Sequence, residues 1–123
     1  MGQIQTQTGY VVKHREDVPP IACPCGSSQR IITSNDTPVA GFHITRIQDS
    51  QKHFHKKTTE IYYILEGQGF LEIGDDLVEL KPGTTVLIHP GTPHRGYGDF
   101  CTIVVPIPAF DPQDEYLTLH SPS

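Results

Sequence analysis

The sequence has no apolar run approaching the roughly 18–20 residues of a membrane span, so no transmembrane helix is expected. It also lacks a basic stripe with interleaved aromatics. Nine basic side chains stand against fourteen acidic ones, for a net charge of −5, which argues against a nucleic-acid partner. There is no fixed-period repeat, no low-complexity tract and no long stretch of 3.6-residue periodicity, which leaves little room for a helical or repetitive architecture. Cysteines are few, and their odd number, three, argues against a full disulfide framework. Cys23-Pro24-Cys25 could form half of a zinc site, but no second close pair exists. The better reading is a thiol pair in a Pro/Gly-rich turn, with Cys101 as a small core hydrophobe. The first nine residues, Met1 to Gly9, are polar and lack the apolar centre of a signal peptide, which points to the cytoplasm.

What the chain does contain is eleven glycines and eleven prolines separated by short apolar runs, the pattern of many strands and few helices. Its 123 residues suit one domain with a core of its own. A short helix is predicted near the end, with Asp111 as N-cap, Pro112 at the first helical position, then Gln113 to Leu117.

The chemistry concentrates at His53, His55, Glu60 and His94. On a strand, side chains two residues apart share a face, so His53 and His55 project together and can lean onto one ion. Lys56 to Thr59 is short and polar enough to turn the chain. Glu60 then opens Ile61-Tyr62-Tyr63-Ile64-Leu65, a β-branched and aromatic strand that an antiparallel return would lay beside the histidines. Leu65 to Gly69 is expected to close it as a turn. Lys81-Pro82-Gly83 turns into a further strand, Thr84 to Ile88, and His89-Pro90-Gly91-Thr92-Pro93 bends sharply to deliver His94 in a fixed direction. Three imidazoles and a carboxylate suit one divalent Fe, Mn, Ni or Zn ion, with two positions left open.

These residues resemble the two motifs of the cupin superfamily. The first, G-x5-HxH-x3,4-E-x6-G, matches at His53, His55, Glu60 and Gly67. The second, G-x5-P-x-G-x2-H-x3-N, matches at Gly83, Gly91 and His94. The match spans roughly residues 40 to 106. Ile47, His89 and Gly98 depart from it at non-ligand positions that shape turns and strand ends; His89 reads as a solvated loop residue. The resemblance implies an all-β, double-stranded β-helix or jelly-roll barrel with little helix. Residues 1–39 would pack on the barrel or on a dimer partner, 40–110 would form the barrel, and 111–123 a short C-terminal helix or tail, all within one domain. It also implies a homodimer, to which the N-terminal segment through Val12 could add a strand.

Strand parity fills in a pocket. Tyr62 and Ile64 should face inward with Glu60, while Tyr63 and Leu65 face out; Gln51 shares the parity of the histidines. Val86 and Ile88 should fill the barrel with Phe70 or Leu71. Tyr62 is the candidate catalytic residue, to orient a substrate or carry a proton, though an aromatic core filler fits equally. Arg30, Arg46 and Arg95 could each pair with a substrate carboxylate, but solvated surface arginines are the default, and Arg95 should point out of the barrel.

Three functions fit a small-molecule partner. The resemblance slightly favours a metal-dependent dioxygenase acting on a small oxygenated compound. The second is redox-neutral Lewis-acid isomerisation or lysis of a sugar, uronate or related acid; it needs a base, which would have to be Tyr62, Tyr97 or a metal hydroxide, because no spare carboxylate with inward parity is evident. The third is a non-enzymatic barrel that binds a sugar or similar molecule.

Overall fold

The computed structural model describes residues 9–118. Among these residues the short apolar runs become nine strands, all paired antiparallel: β1 (Ile21–Cys23), β2 (Gly26–Ile32), β3 (Phe42–Asp49), β4 (His53–Phe54), β5 (Thr59–Ile73), β6 (Asp76–Leu80), β7 (Thr85–Ile88), β8 (His94–Ile107) and β9 (Tyr116–Leu117). Together they form one curled sheet, a jelly-roll barrel. Among the described residues, helix is confined to single 3-10 turns at Arg15–Asp17 and Pro112–Asp114.

The long strands β5 and β8 lie side by side, from Thr59↔Ile107 to Ile73↔His94. β8 continues the sheet to β3 and, through His53↔His94, to β4; β5 continues it to β6 and β7. Period-two alternation sends Ile47, Tyr62, Ile64, Leu71, Leu80, Ile88, Phe100 and Val104 into one core, with Val86 packed against it. Leu71, not Phe70, takes the inward place: Leu71 is fully buried, whereas Phe70 is exposed and stacks on Tyr97 outside. Tyr63 and Leu65 are exposed, as parity requires. A smaller cluster of Ile31, Ile44 and Cys101 forms a second core, so Cys101 is a buried free thiol among apolar neighbours.

Four expectations need correction. Residues 65–69 are not a turn, since β5 runs through them to Ile73, with a bulge between Ile64 and Glu66. The glycines serve close approach instead. A Cβ on Gly67 (φ +92°) would sit 2.3 Å from the Asp99 carbonyl oxygen, and one on Gly69 would meet Tyr97 O at 2.4 Å and the Phe100 ring at 2.7 Å. Cys23 and Cys25 are joined as a disulfide across the β1–β2 turn rather than standing as two thiols. The strand of His53 pairs with β8 and β9, not with β5, so the return from His55 is a crossing and not a hairpin. The helix expected after Asp111 is one 3-10 turn. Asp111 does cap it, its side chain accepting from Gln113 N at 2.9 Å, but the chain then extends as β9 beside β4.

Of the N-terminal segment expected to add a strand to a partner, residues 1–8 lie outside the described residues, and Gly9 to Val12 form no strand. No helix among the described residues is long and apolar enough to cross a membrane.

Candidate metal centre and its cavity

Four elements deliver the four motif residues. β4 presents His53 opposite His94 at the start of β8, where the Pro90–Pro93 bend releases the chain. His55 follows β4 and is fixed from both sides, its carbonyl accepting from Gly91 N at 2.6 Å. Glu60 comes from the start of β5, between Ile88 of β7 and Pro106 of β8. One ring nitrogen from each of His53, His55 and His94 lies within 4.8 Å of the other two. Glu60 Oε1 approaches two of them, at 3.1 Å from His94 Nε2 and 3.6 Å from His55 Nε2. His55, Glu60 and His94 are buried, and His53 is half-buried.

The far side of each ring is held by backbone. His53 Nδ1 donates to Gln51 O at 2.8 Å, His55 Nδ1 to Asp114 O at 2.7 Å, and His94 Nδ1 to Thr92 O at 2.9 Å. A hydrogen on Nδ1 fixes the tautomer and leaves Nε2 with its lone pair for a cation. His55 Nε2 is buried and has no hydrogen-bond partner among the described residues, as a ligand atom facing its ion would be. The donor set therefore fits a divalent transition ion.

Electrostatics agree. Burial alone would push the Glu60 carboxyl up, but a hydrogen bond from His94 and positive charge on His94, His55 and His53 outweigh it and hold the carboxyl below its ordinary range; a cation bound at Nε2 would supply that positive charge in place of the ring protons. Burial and the neighbouring His94 lower His53, which favours the neutral ring a metal needs.

A residue remote in sequence organises the turn. Asp114 is almost fully buried; its carboxylate accepts from Lys56 N (3.0 Å), Lys57 N (3.1 Å) and Thr58 Oγ1 (3.0 Å), while its carbonyl holds His55. Burial would raise that carboxyl, and the donors from Lys57, Lys56 and Thr58 bring it below its ordinary value. The cap signal at Asp111 locates this turn, but nothing in the sequence ties it to His55.

His53, His55 and Glu60 open onto a cavity of about 160 Å³ lined also from the Cys23–Cys25 turn, β2, β3, β5, β8 and the C-terminal segment. Tyr62 lines it, edge-on to His94 with ring centroids 6.4 Å apart. Burial and the Glu60 and Glu115 carboxylates push its phenol well above the ordinary value, so it stands as a hydroxyl donor rather than a phenolate base. Gln51 lines the cavity too, whereas His89 is exposed on its loop. Tyr97 sits between Phe70 and Arg95 on the outside. Arg46 and Arg95 are tied up in ion pairs, Arg46 with Glu66 and Asp99, Arg95 with Asp49 and Glu72.

Three lining groups escape the sequence reading. Arg30, taken there as a surface residue, reaches the cavity. His43 shares strand parity with Thr45 and Ile47, the one signal that could have found it. Glu115 supplies the spare carboxylate that seemed missing, at the mouth, brought there by the β9 segment.

An all-β barrel with three histidines and a carboxylate clustered beside its cavity is an arrangement compatible with a metal ion. A family model for the cupin domain matches residues 43–100. A protein from Planctomyces limnophilus, 26% identical, superposes with a TM-score of 0.84 over 89% of this chain and 98% of its own. The polyketide cyclase RemF from Streptomyces resistomycificus is 24% identical (TM-score 0.73; 92% of this chain, 88% of its own), and ectoine synthase from P. lautus 20% identical (0.74; 93% and 94%). Residues 43–100 match a cupin domain, and the described chain has the fold of these barrels. The uncharacterized protein MJ1618 of Methanocaldococcus jannaschii is 46% identical over 43 residues, 35% of this chain, and the match spans about a third (34%) of that protein's length.

Proposed function

We propose that this cupin is a metal-dependent enzyme acting on a small oxygenated organic molecule, with His53, His55, Glu60 and His94 holding one divalent ion. The observation that carries it is the convergence of three ring nitrogens within 4.8 Å, each ring pinned from behind by a carbonyl. Such an ion would supply Lewis acidity toward a substrate oxygen.

The surrounding side chains favour redox-neutral proton-transfer chemistry over the oxygenase reading. Tyr62 offers a proton or hydrogen bond to an oxygen of the substrate. Glu115 at the mouth, which acts on His53 through its charge but is hydrogen-bonded to none of the three histidines, can take a proton from an adjacent carbon. His43 is neutral near pH 7, its pKa lowered to about 4 by burial and by Arg30, and can accept or relay a proton. In this reading Tyr62 acts as a donor rather than as the base. The enzyme names borne by RemF and ectoine synthase lend support to catalysis on this fold, ahead of a purely binding barrel.

Two measurements test the reading. Elemental analysis of chelator-free protein should find close to one transition ion per chain, lost in His53→Ala/His94→Ala. Turnover of hydroxy acids or uronates should persist under nitrogen with zinc or manganese. Substrate-dependent oxygen uptake that needs Fe(II), with no turnover under nitrogen, would return the oxygenase to first place.

A homodimer is part of the proposal. Tyr63, Leu65 and Leu87 are exposed on neighbouring strands, an apolar face suited to a second copy. Light scattering after size exclusion should give twice the chain mass, and Leu87→Glu should halve it; a wild-type monomer sinks the idea. The cytoplasmic location expected from the sequence also stands as a proposal. Cell fractionation should then recover the chain with cytoplasmic markers, whereas recovery with secreted or periplasmic proteins would refute that location.

A further inference from the structure

We infer that the cavity has a second pole, built from Arg30 and His43, that binds a carboxylate, so that the molecule it takes is a small organic acid. This deepens the reading above and rests on it only for the opposite, metal-facing end of the ligand.

Arg30 on β2 and His43 on β3 are direct register partners, and both line the cavity. Side chains paired in this way share a face with Cβ atoms about 5 Å apart. The same row continues through Val104 to Tyr62, so the pair sits two and three strands away from Tyr62, with Glu60 one inward step further along β5. The two poles thus face the same small space from different strands.

Both residues present polar atoms with nothing to bind. His43 is 7% exposed, and its Nε2 is buried without a hydrogen-bond partner among the described residues; so is Arg30 Nε. The contrast with the other arginines is informative, because Arg46 and Arg95 each hold two carboxylates while no described carboxylate pairs with Arg30. Its guanidinium lies instead over the Phe110 ring, 4.9 Å from the centroid, and the His43 ring packs edge-on to Phe110 at 5.7 Å. That aromatic shelf immobilises the fork without using its N–H groups. A buried donor left unpaired is destabilising, more so if charged, which makes such a pair unusual unless a ligand completes it.

The missing partner must accept hydrogen bonds and carry negative charge. A carboxylate meets both needs, accepting from the planar fork and from His43 Nε2–H. Size limits the rest: about 160 Å³ is comparable to an engineered cavity of about 150 Å³ that holds benzene. A short hydroxy or keto acid fits, with its carboxylate at Arg30 and its oxygen function toward the histidines.

Calorimetric titration with lactate and its uncharged isostere lactamide tests this on zinc-loaded protein and on the metal-free His53→Ala/His94→Ala variant. Wild type should prefer lactate by about tenfold or more, the discrimination expected of a charged hydrogen-bonded pair. Arg30→Gln should abolish the preference at unchanged zinc content and melting temperature, Arg30→Lys should restore part of it, and the metal-free variant should keep it. Equal affinities in wild type, no lactate binding at tens of millimolar, or a preference that survives Arg30→Gln would overturn the carboxylate pole. Failure to load zinc would count against the metal reading alone, because the preference is still read in the metal-free protein.

Discussion

At the scale of single residues, the most exposed wager concerns His43. Its pKa is about 4 in the folded chain, against 6.5 for a free side chain. Between those values the unfolded chain takes up a proton that the folded chain refuses, so stability falls as pH drops from about 6.5 toward 4 and is insensitive to this group above about 7. The full shift corresponds to about 3 kcal/mol, and screening by the open cavity should reduce it to about 1–2 kcal/mol. Urea denaturation at pH 7 and 4.5 should therefore show His43→Gln losing less than wild type by that amount; parallel losses would refute a buried neutral ring. Asp114 carries a second prediction. Asp114→Ala strips an acceptor from Lys56 N, Lys57 N and Thr58 Oγ1, and should cost about 2–4 kcal/mol. By loosening His55 it should also weaken zinc about 10–100-fold in a chelator competition. His53, His55, Glu60 and His94 were legible because a metal site needs fixed local spacings. Asp114 and Arg30 were not, because each meets its neighbours only after the sheet has formed.

At the scale of elements, the strand alternation of β5 and the turn before β7 could be read directly, since each depends on a few adjacent residues. The glycines of β5 misled because glycine has two meanings: it permits a turn, and it permits two backbones to meet. Only the partner strand distinguishes them, and here β8 lies against Gly67 and Gly69. Gly67→Ala should make the difference measurable. It combines a positive φ with a Cβ 2.3 Å from Asp99 O, and should destabilise by about 2–4 kcal/mol. Gly74→Ala, also at positive φ but with nothing within 4 Å, should cost about 1 kcal/mol. Similar losses in the two variants would mean that conformation alone, and not the crossing of β5 and β8, explains the glycine at 67. The predicted C-terminal helix failed for a related reason. Its cap was correct, but the free edge of β4 captured the chain as β9 after one turn, and that capture is what carries Glu115 to the cavity.

At the scale of the whole molecule, the candidate ligands come from β4, the turn after it, β5 and β8, so an ion would tie together segments that the hydrogen-bond ladder joins only in part. Binding to the folded chain and not to the unfolded one adds stability as the logarithm of ligand excess, about 2.7 kcal/mol at a hundredfold excess over the dissociation constant. For a domain of this size that raises the melting temperature by about 10 °C. Zinc or manganese should therefore produce a concentration-dependent rise in wild type, and chelator should reverse it. His53→Ala/His94→Ala should show no rise while keeping a cooperative transition, since the apolar core of Ile64, Leu71, Leu80, Ile88 and Phe100 does not involve the histidines. A rise of equal size in the double variant would place the binding elsewhere on the acidic surface. A cooperative transition lost without metal would mean that the ion contributes to folding itself, as in sites where binding free energy supplies the fold.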